Sequence, residues 1–331
     1  MEKLNIQKHI EYFRRTRESL PQEVHSSYMT VLFFIISGND ILSQKDDLPK
    51  DEIIDWVYRQ QVTQAPYAGF RANPSAEILT QTPWDYASLA STYSALCILK
   101  ILGDDYSRVA KNQIIISLSQ CILEDGSVVS HYGGIENDMR FVYCACAICY
   151  LLDNWNGIDK DKITRFIASC QSYEGSFAIS PGLEGHGGAT YCALSSLYLM
   201  GRIGLLDKEN GVIDDSLCEF SFDRKDKLIE WLVMRQGLGF SGRSGKAPDT
   251  CYGYWVGLSL CMLGASEYVN RLENYEFYSE CQTVYGGFSK YPGLKRPDFT
   301  HSYLGLCAVG VLGIDGVKKL FAPIGIDENL F

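Results

Sequence analysis

Positive charge is the scarce commodity in this chain. Its 331 residues carry 30 Lys and Arg against 40 Asp and Glu, a net charge of −10. A protein that grips nucleic acid through its phosphates needs a basic face, so nucleic acid is excluded as the expected partner. An acidic surface suits a basic partner or a polybasic tail instead. Long apolar runs are missing too. Met29 to Ile36, broken by Thr30, is too short to cross a bilayer, and Met1-Glu2-Lys3-Leu4-Asn5 lacks the apolar core of a secretory signal. The 12 cysteines show no disulfide-type spacing, which points to free thiols in a reducing, cytoplasmic setting. Cys144-x-Cys146-x-x-Cys149 superficially suggests a metal cluster. Its offsets do not share one helix face and nothing polar accompanies it, so it reads as buried small residues.

What the chain does have is a repeat. Asn5 to Ser19 reads as an amphipathic helix, Tyr28 to Ser37 as a second helix stopped by Gly38-Asn39, and Lys50 to Gln61 as a third. From about residue 60 to 313 five units follow. Each has a Gln-containing helix end, a Gly-rich loop such as Gly69-Phe70 or Gly286-Gly287-Phe288, and an apolar helix opening on a hydroxyl- or aromatic-rich turn. Tyr93, Tyr143, Tyr191, Tyr252 and Tyr303 mark the register, with spacings of 50, 48, 61 and 51 residues. The long spacing absorbs an acidic insertion, Gly204 to Lys227. β-Propeller blades have a similar period but need four alternating strands, whereas these apolar runs suit helices. Helical hairpins of this kind must stack to bury their faces, as an open solenoid or a closed ring. The expectation is one all-α unit spanning residues 1–331. In the closed form, an α/α barrel, the tyrosine-bearing helix starts would all face a central cavity.

One junction is unusually rich in chemistry. Gly242-Arg243-Ser244-Gly245-Lys246-Ala247-Pro248-Asp249-Thr250-Cys251-Tyr252-Gly253-Tyr254-Trp255 runs from a loop into a helix start, where free N–H groups and the dipole favour anions. The plain alternative is an ordinary helix start, with Asp249 as cap and Cys251 as a small core residue. If the junctions lie side by side, His301 of the fifth unit joins Asp249 and Cys251. Carboxylate, thiolate and imidazole are good zinc ligands, and three protein ligands leave a position open; spacing alone is a weak signal for this. Arg243, Lys246, His186, Arg140 and Lys290 precede or open successive junctions. Taken together they suggest a diphosphate-like ligand; taken singly each is a solvated loop charge. Tyr93, Tyr143, Tyr191, Tyr252, Tyr254 and Trp255 beneath such a rim would hold a long hydrocarbon with a charged head, or would simply pack helix against helix.

Four stretches carry a family resemblance: Glu136 to Cys144, Gly182 to Cys192, Gly242 to Trp255, and Gly286 to Pro292 with Asp298-Phe299-Thr300-His301. From about Tyr28 to Gly313 the chain resembles the β subunits of protein prenyltransferases, most of all the type I geranylgeranyl enzymes. The resemblance implies an α/α barrel and zinc held by Asp249, Cys251 and His301. It implies diphosphate contacts from His186, Arg243, Lys246 and Tyr252, and a prenyl pocket lined by Arg140, Tyr143, Cys192 and Trp255. It also implies an obligate α subunit that supplies a further lysine, and acceptors ending in Cys-aliphatic-aliphatic-X, with X usually Leu, such as Rho-type GTPases. Thr30 stands where farnesyl enzymes carry a pocket-truncating Trp, leaving room for geranylgeranyl diphosphate. Lys290 stands where farnesyl and Rab-type enzymes carry an Asp linked to magnesium, so magnesium should be dispensable. Ala189, a Tyr in farnesyltransferases, is another subtype difference. Competing expectations are a farnesyltransferase β subunit and a non-enzymatic helical-repeat scaffold that binds peptides. Ring-shaped terpene cyclases need an Asp-x-Asp-Asp acid that the chain lacks.

Overall fold

The computed structural model describes residues 4–18, 22–73, 86–207 and 225–331. Among them are twelve α-helices in two layers. The outer helices are α1 (Ile6–Glu18), α3 (Lys50–Arg59), α5 (Lys111–Ser119), α7 (Lys160–Ser169), α9 (Lys225–Val233) and α11 (Arg271–Cys281). The inner helices are α2 (Tyr28–Ile41), α4 (Leu89–Leu102), α6 (Met139–Leu151), α8 (Gly187–Leu199), α10 (Tyr252–Met262) and α12 (Phe299–Val311). The sorting follows from sequence. The inner helices are apolar almost all round and are buried along nearly their whole length, as a helix must be to sit inside a second layer. Outer helices such as α3 and α7 bury only one stripe.

Each inner helix packs on the next, and α12 packs back on α2. The ring is therefore closed, and of the two arrangements the repeat allowed, the barrel is the one formed. Its units number six. The pair α1–α2 completes the circle, although it lacks the Gly-rich loop that identifies the other five. Helix α2 also continues to Ile41, past the expected stop at Gly38. That glycine lies directly against the Phe13 ring of α1, where a Cβ would clash, so it serves close approach and does not end the helix. The insertion expected at 204–227 falls mostly outside the described residues; Ile203–Asp207 forms a 3-10 turn and α9 begins at Lys225.

The repeated Gln and Gly-Phe marks now have a physical meaning. The Gln bridges the loop Phe in four of the five Gly-rich units, all but α5–α6: Gln61–Phe70, Gln171–Phe177, Gln236–Phe240 and Gln282–Phe288. Three Gln side chains also accept the N–H that leads into the next outer helix, Gln61 from Ala110 at 2.7 Å, Gln236 from Asn270 at 2.7 Å and Gln282 from Asn5 at 2.6 Å. The last of these closes the outer layer.

At the inner layer, an N–H at or next to the start of five of the six helices donates to a loop carbonyl of the following unit. The pairs are Met29 to Ala72, Leu89 to Ser130, Met139 to Ile179, Gly187 to Gly242 and Thr250 to Lys290. Counting four residues from these donors gives Phe33, Tyr93, Tyr143, Tyr191 and Tyr254, with Tyr303 equivalent in α12. In the fourth unit the register residue is thus Tyr254, whereas the sequence spacing suggested Tyr252. Neighbouring rings of this girdle sit 5.0–5.7 Å apart from Tyr303 through Phe33, Tyr93, Tyr143 and Tyr191 to Tyr254.

The C-terminal segment plugs the ring. Tyr93 donates to the Ile324 carbonyl at 2.8 Å, Tyr191 to Ala322 at 3.0 Å and Tyr303 to Gly325 at 3.0 Å. Tyr143 donates to Tyr93 at 3.0 Å. One helical turn beyond the girdle stand Ser37, Cys97, Ala147, Ser195, Leu258 and Cys307, all buried and mostly small, which leaves space for a backbone strand. Lys318 ties the segment to the wall, donating to Asp40 and to Asp327 at 2.8 Å each.

Where α1 meets the last unit, α11–α12, His9 is buried and stacks on Phe288 at 4.4 Å. Its Nδ1 accepts the Gly287 N–H at 3.2 Å and its Nε2 meets Gln282 Oε1 at 3.0 Å, a pattern only the neutral ring satisfies. Burial lowers its pKa to about 4, opposed in part by the Gln282 bond and aided by Lys8. The unfolded chain takes up this proton near pH 6.5 and the folded chain only near 4, so the stability contributed by neutral His9 is lost as pH falls through that window, by up to about 3 kcal/mol. Urea unfolding between pH 7 and 4 is expected to show this loss, with a flatter profile for His9→Gln; equal slopes would refute the role of His9.

Candidate metal and anion-binding site

In five of the six inner helices the position five residues before the girdle aromatic, at the helix start or just ahead of it, is held by Ser88, Asp138, His186, Asp249 and Asp298. Each is a short acceptor that can take a backbone N–H of the first turn. Asp138 accepts from Arg140 N–H at 2.9 Å, His186 Nδ1 from Gly188 N–H at 3.0 Å, Asp298 from His301 N–H at 2.9 Å and Asp249 from Cys251 N–H at 3.0 Å. Asp249 therefore steadies the turn that leads into α10 and still has a carboxylate oxygen to offer. Metal ligand and support of the helix start are compatible roles, not the alternatives the sequence suggested.

Asp249, Cys251 and His301 do come together. One ligand atom from each lies within 4.8 Å of the others. His301 Nε2 is 3.3 Å from Asp249 Oδ1, and its Nδ1 is 2.6 Å from Asp298 Oδ2. Asp298 thus aims the imidazole, the support a metal-ligating His usually has. Sequence reasoning quoted Asp298 without giving it a role, though its spacing three residues before His301 was visible. Burial pulls the His301 pKa down, but the bonds to Asp249 and Asp298 outweigh it and hold it at about 9. Burial pushes the Asp249 carboxyl up, and the bonds from His301 and Cys251 overcome this to hold it at about 2. Burial, then the Asp249 charge, push the Cys251 thiol up. A divalent cation brought to these three donors would take the place of the imidazole proton and reverse the penalty on the thiol. Oxygen, sulfur and nitrogen donors, three in number, fit a zinc-type ion with one open position.

Beside this group lies a cleft of about 320 Å³, lined in part by Arg243, Lys246, Asp249, Tyr252 and Lys290. Lys290 Nζ is 3.5 Å from Asp249 Oδ2, and Arg243 pairs with Glu184 at 3.1 Å. Glu184 as the counter-charge of Arg243 was not foreseen. Tyr252, displaced from the girdle register, points into the cleft and meets His186 Nε2 at 3.0 Å. Because His186 Nδ1 is an acceptor, its Nε2 carries the proton and donates to Tyr252 Oη, leaving the phenol proton free for another acceptor. Burial and the nearby Arg243 lower the His186 pKa, with Glu184 opposing, which keeps the ring neutral. Gly242 is needed here because a Cβ would run into the Tyr252 ring.

The remaining residues are dispersed. Tyr143 and Cys192 are buried on α6 and α8, and Trp255 packs on Tyr191 and Tyr254 at 5.2 and 4.6 Å. Thr30 Oγ1 lies 3.3 Å from Ser94 Oγ on α4. Arg140 does not join the cation cleft; Asp138 and Glu136 hold its guanidinium at 2.6 and 2.7 Å.

A family profile described as a prenyltransferase alpha-alpha toroid domain matches residues 4–326. The chain is 38% identical to the geranylgeranyl transferase type-1 subunit beta of Arabidopsis thaliana, over 96% of this chain and 88% of that one. It is 34% identical to the protein of the same name from Dictyostelium discoideum, over 98% and 96%. The solved structure of Candida albicans protein geranylgeranyltransferase-I complexed with GGPP superposes with a TM-score of 0.84 at 24% identity, covering 99% of this chain and 97% of that one; at that identity the likeness speaks for the fold. Closed ring, repeat register and sequence relatives agree, and the chain belongs to the prenyltransferases with an α/α-toroid domain.

Proposed function

We propose that this chain is the catalytic β subunit of a zinc-dependent protein geranylgeranyltransferase of type I. It would transfer a geranylgeranyl group from its diphosphate to the cysteine thiol of proteins ending in Cys-aliphatic-aliphatic-X, X usually Leu, such as Rho-type GTPases. The observation that carries the reading is the placement of Asp249, Cys251 and His301 against a cleft that gathers Arg243, Lys246, Tyr252 and Lys290. The names of the Arabidopsis and Dictyostelium relatives support the subtype. An α subunit as obligate partner and a cytoplasmic setting belong to the same reading; among the described residues no helix is long and apolar enough to cross a membrane.

Zinc, when bound by Asp249, Cys251 and His301, supplies the acceptor thiol as a thiolate at neutral pH. The chain's own residues attend to the leaving group. The bond from C1 of the prenyl group to the diphosphate oxygen breaks as the thioether forms, and charge develops on the diphosphate. Arg243 and Lys246 neutralise it, and Tyr252 donates the phenol proton that His186 leaves free. Lys290 adds a fixed cation where a magnesium ion would otherwise be needed. Tyr143, Cys192, Trp255 and Arg140 border the hydrocarbon, and the small Thr30 leaves room for its last isoprene unit.

The purified protein is expected to contain one zinc per chain by elemental analysis, and Cys251→Ala to lose zinc and turnover while retaining prenyl diphosphate binding. Full turnover in that variant would remove the metal reading, whereas a purified protein with neither zinc nor turnover would favour the peptide-binding scaffold. Lys290→Asp should make the rate magnesium-dependent by roughly tenfold or more, as expected when one cation facing developing charge is replaced; a rate indifferent to magnesium would sink the role given to Lys290. Competing farnesyl and geranylgeranyl diphosphates should show wild-type preference for the longer donor and a shift of about tenfold or more towards the shorter for Thr30→Trp, since filling a hydrophobic pocket discriminates on that scale. A wild-type preference for the shorter donor would assign the farnesyl class instead.

A further inference from the structure

Behind the anion cleft stands a cation that the proposed chemistry does not use. Arg235, two residues past the end of α9, is only 8% exposed, yet among the described residues no carboxylate reaches it as a salt-bridge partner. Its guanidinium lies over the Trp231 ring at 4.7 Å, and its Nε donates to the Trp231 carbonyl at 3.3 Å. Trp231 is fixed in turn, donating its indole N–H to Glu174 at 3.0 Å. The forward edge of the guanidinium points at the cleft loop, where Nη1 donates to Ser244 Oγ at 2.8 Å. The Arg235 carbonyl takes the Ser241 N–H at 2.9 Å from the other end of the same loop. A buried cation that no carboxylate pairs with directly is costly, Glu174 behind Trp231 offsetting its burial only in part, and a loop from Ser241 to Lys246 with two glycines has many conformations to lose.

We propose that Arg235 is the positioning residue of the anion-binding loop. Through Ser244 it fixes the segment that carries Arg243 and Lys246, so that the two cations meet a diphosphate already in place. The inference rests on the leaving-group reading of that cleft and deepens it. Arg235 itself need not touch the ligand. Lysine would keep the charge but cannot span the Trp231 carbonyl and Ser244 together with one nitrogen, so charge and positioning can be told apart.

The test is calorimetric titration of inorganic pyrophosphate into the full chain purified with its partner subunit, comparing wild type, Arg235→Met, Arg235→Lys, Ser244→Ala and the double variant Arg235→Met/Ser244→Ala. Ser244 is exposed, so its variant keeps the fold even if Arg235→Met does not. Each single variant should weaken pyrophosphate by about tenfold, the scale of one hydrogen bond to a charged group. The double variant should lose no more than either single one, as expected for residues acting as one unit. Zinc content should not change, and KM for prenyl diphosphate should rise more than kcat falls. Wild-type affinity in Ser244→Ala, full rescue by Arg235→Lys, or additive losses in the double variant would each overturn the proposal. Failure of the wild-type protein to bind pyrophosphate or prenyl diphosphate at all would overturn it together with the leaving-group reading.

Discussion

Five of the six inner helices surrender an N–H at their start to a carbonyl in the loop of the next unit, and the rest of the structure depends on that bond. A helix start has several N–H groups without partners. Satisfying one of them across the unit boundary fixes where the neighbouring loop must lie. Repeated from Met29 to Thr250, it gathers the helix starts at one end of the ring. The cap residue just before each donor then falls at the rim. Any short acceptor will serve as a cap, so the position is free to vary between Ser88, Asp138, His186, Asp249 and Asp298. The site draws on that freedom: Asp249 lies within reach of Cys251 and His301, Asp298 orients the His301 ring, and His186 donates a hydrogen bond to Tyr252.

Below the rim the girdle divides polar from apolar. Hydroxyls inside an apolar ring need partners, and the carbonyls of Ala322, Ile324 and Gly325 provide them for three of the tyrosines. Tyr143 and Tyr254 complete the set through Tyr93 and Tyr191. With the hydroxyls committed to the plug, the rings are left as wall. The tail after Gly313, which has no readable motif, is therefore what allows five tyrosines to line one ring. Its anchor, the Lys318 contact to Asp40 and Asp327, joins residues 278 apart to residues 9 apart in sequence.

Much of this was legible in the sequence, and the misreadings share a cause. The repeat, its helical character and the convergence of Asp249, Cys251 and His301 follow from register, which a sequence displays directly. The choice between Tyr252 and Tyr254 does not, because both are aromatic and two residues apart; the Asp five residues before the girdle in three units would have decided it. The unit α1–α2 hid because it lacks the Gly-rich loop, and Gly38 misled because a glycine can end a helix or admit a neighbouring ring. The closure of the ring was implied by the family resemblance, and the repeat itself left it open for a plainer reason. It is made by contacts between the two ends of the chain, His9 and Asn5 against Gln282 and Gly287, and no local pattern records those.

On the proposed reading, the charges at the rim let an acidic chain keep a site for an anion. Arg243 rests on Glu184 and Lys290 near Asp249, both pairs with a half-exposed cation. Such pairs contribute little and part at small cost, so an arriving polyanion can replace the carboxylates. Arg235 differs because it is buried and, among the described residues, has no carboxylate partner to leave. The two kinds of cation suit different tasks: the exposed ones exchange partners when a ligand binds, and the buried one keeps the loop beneath them in the same place before and after.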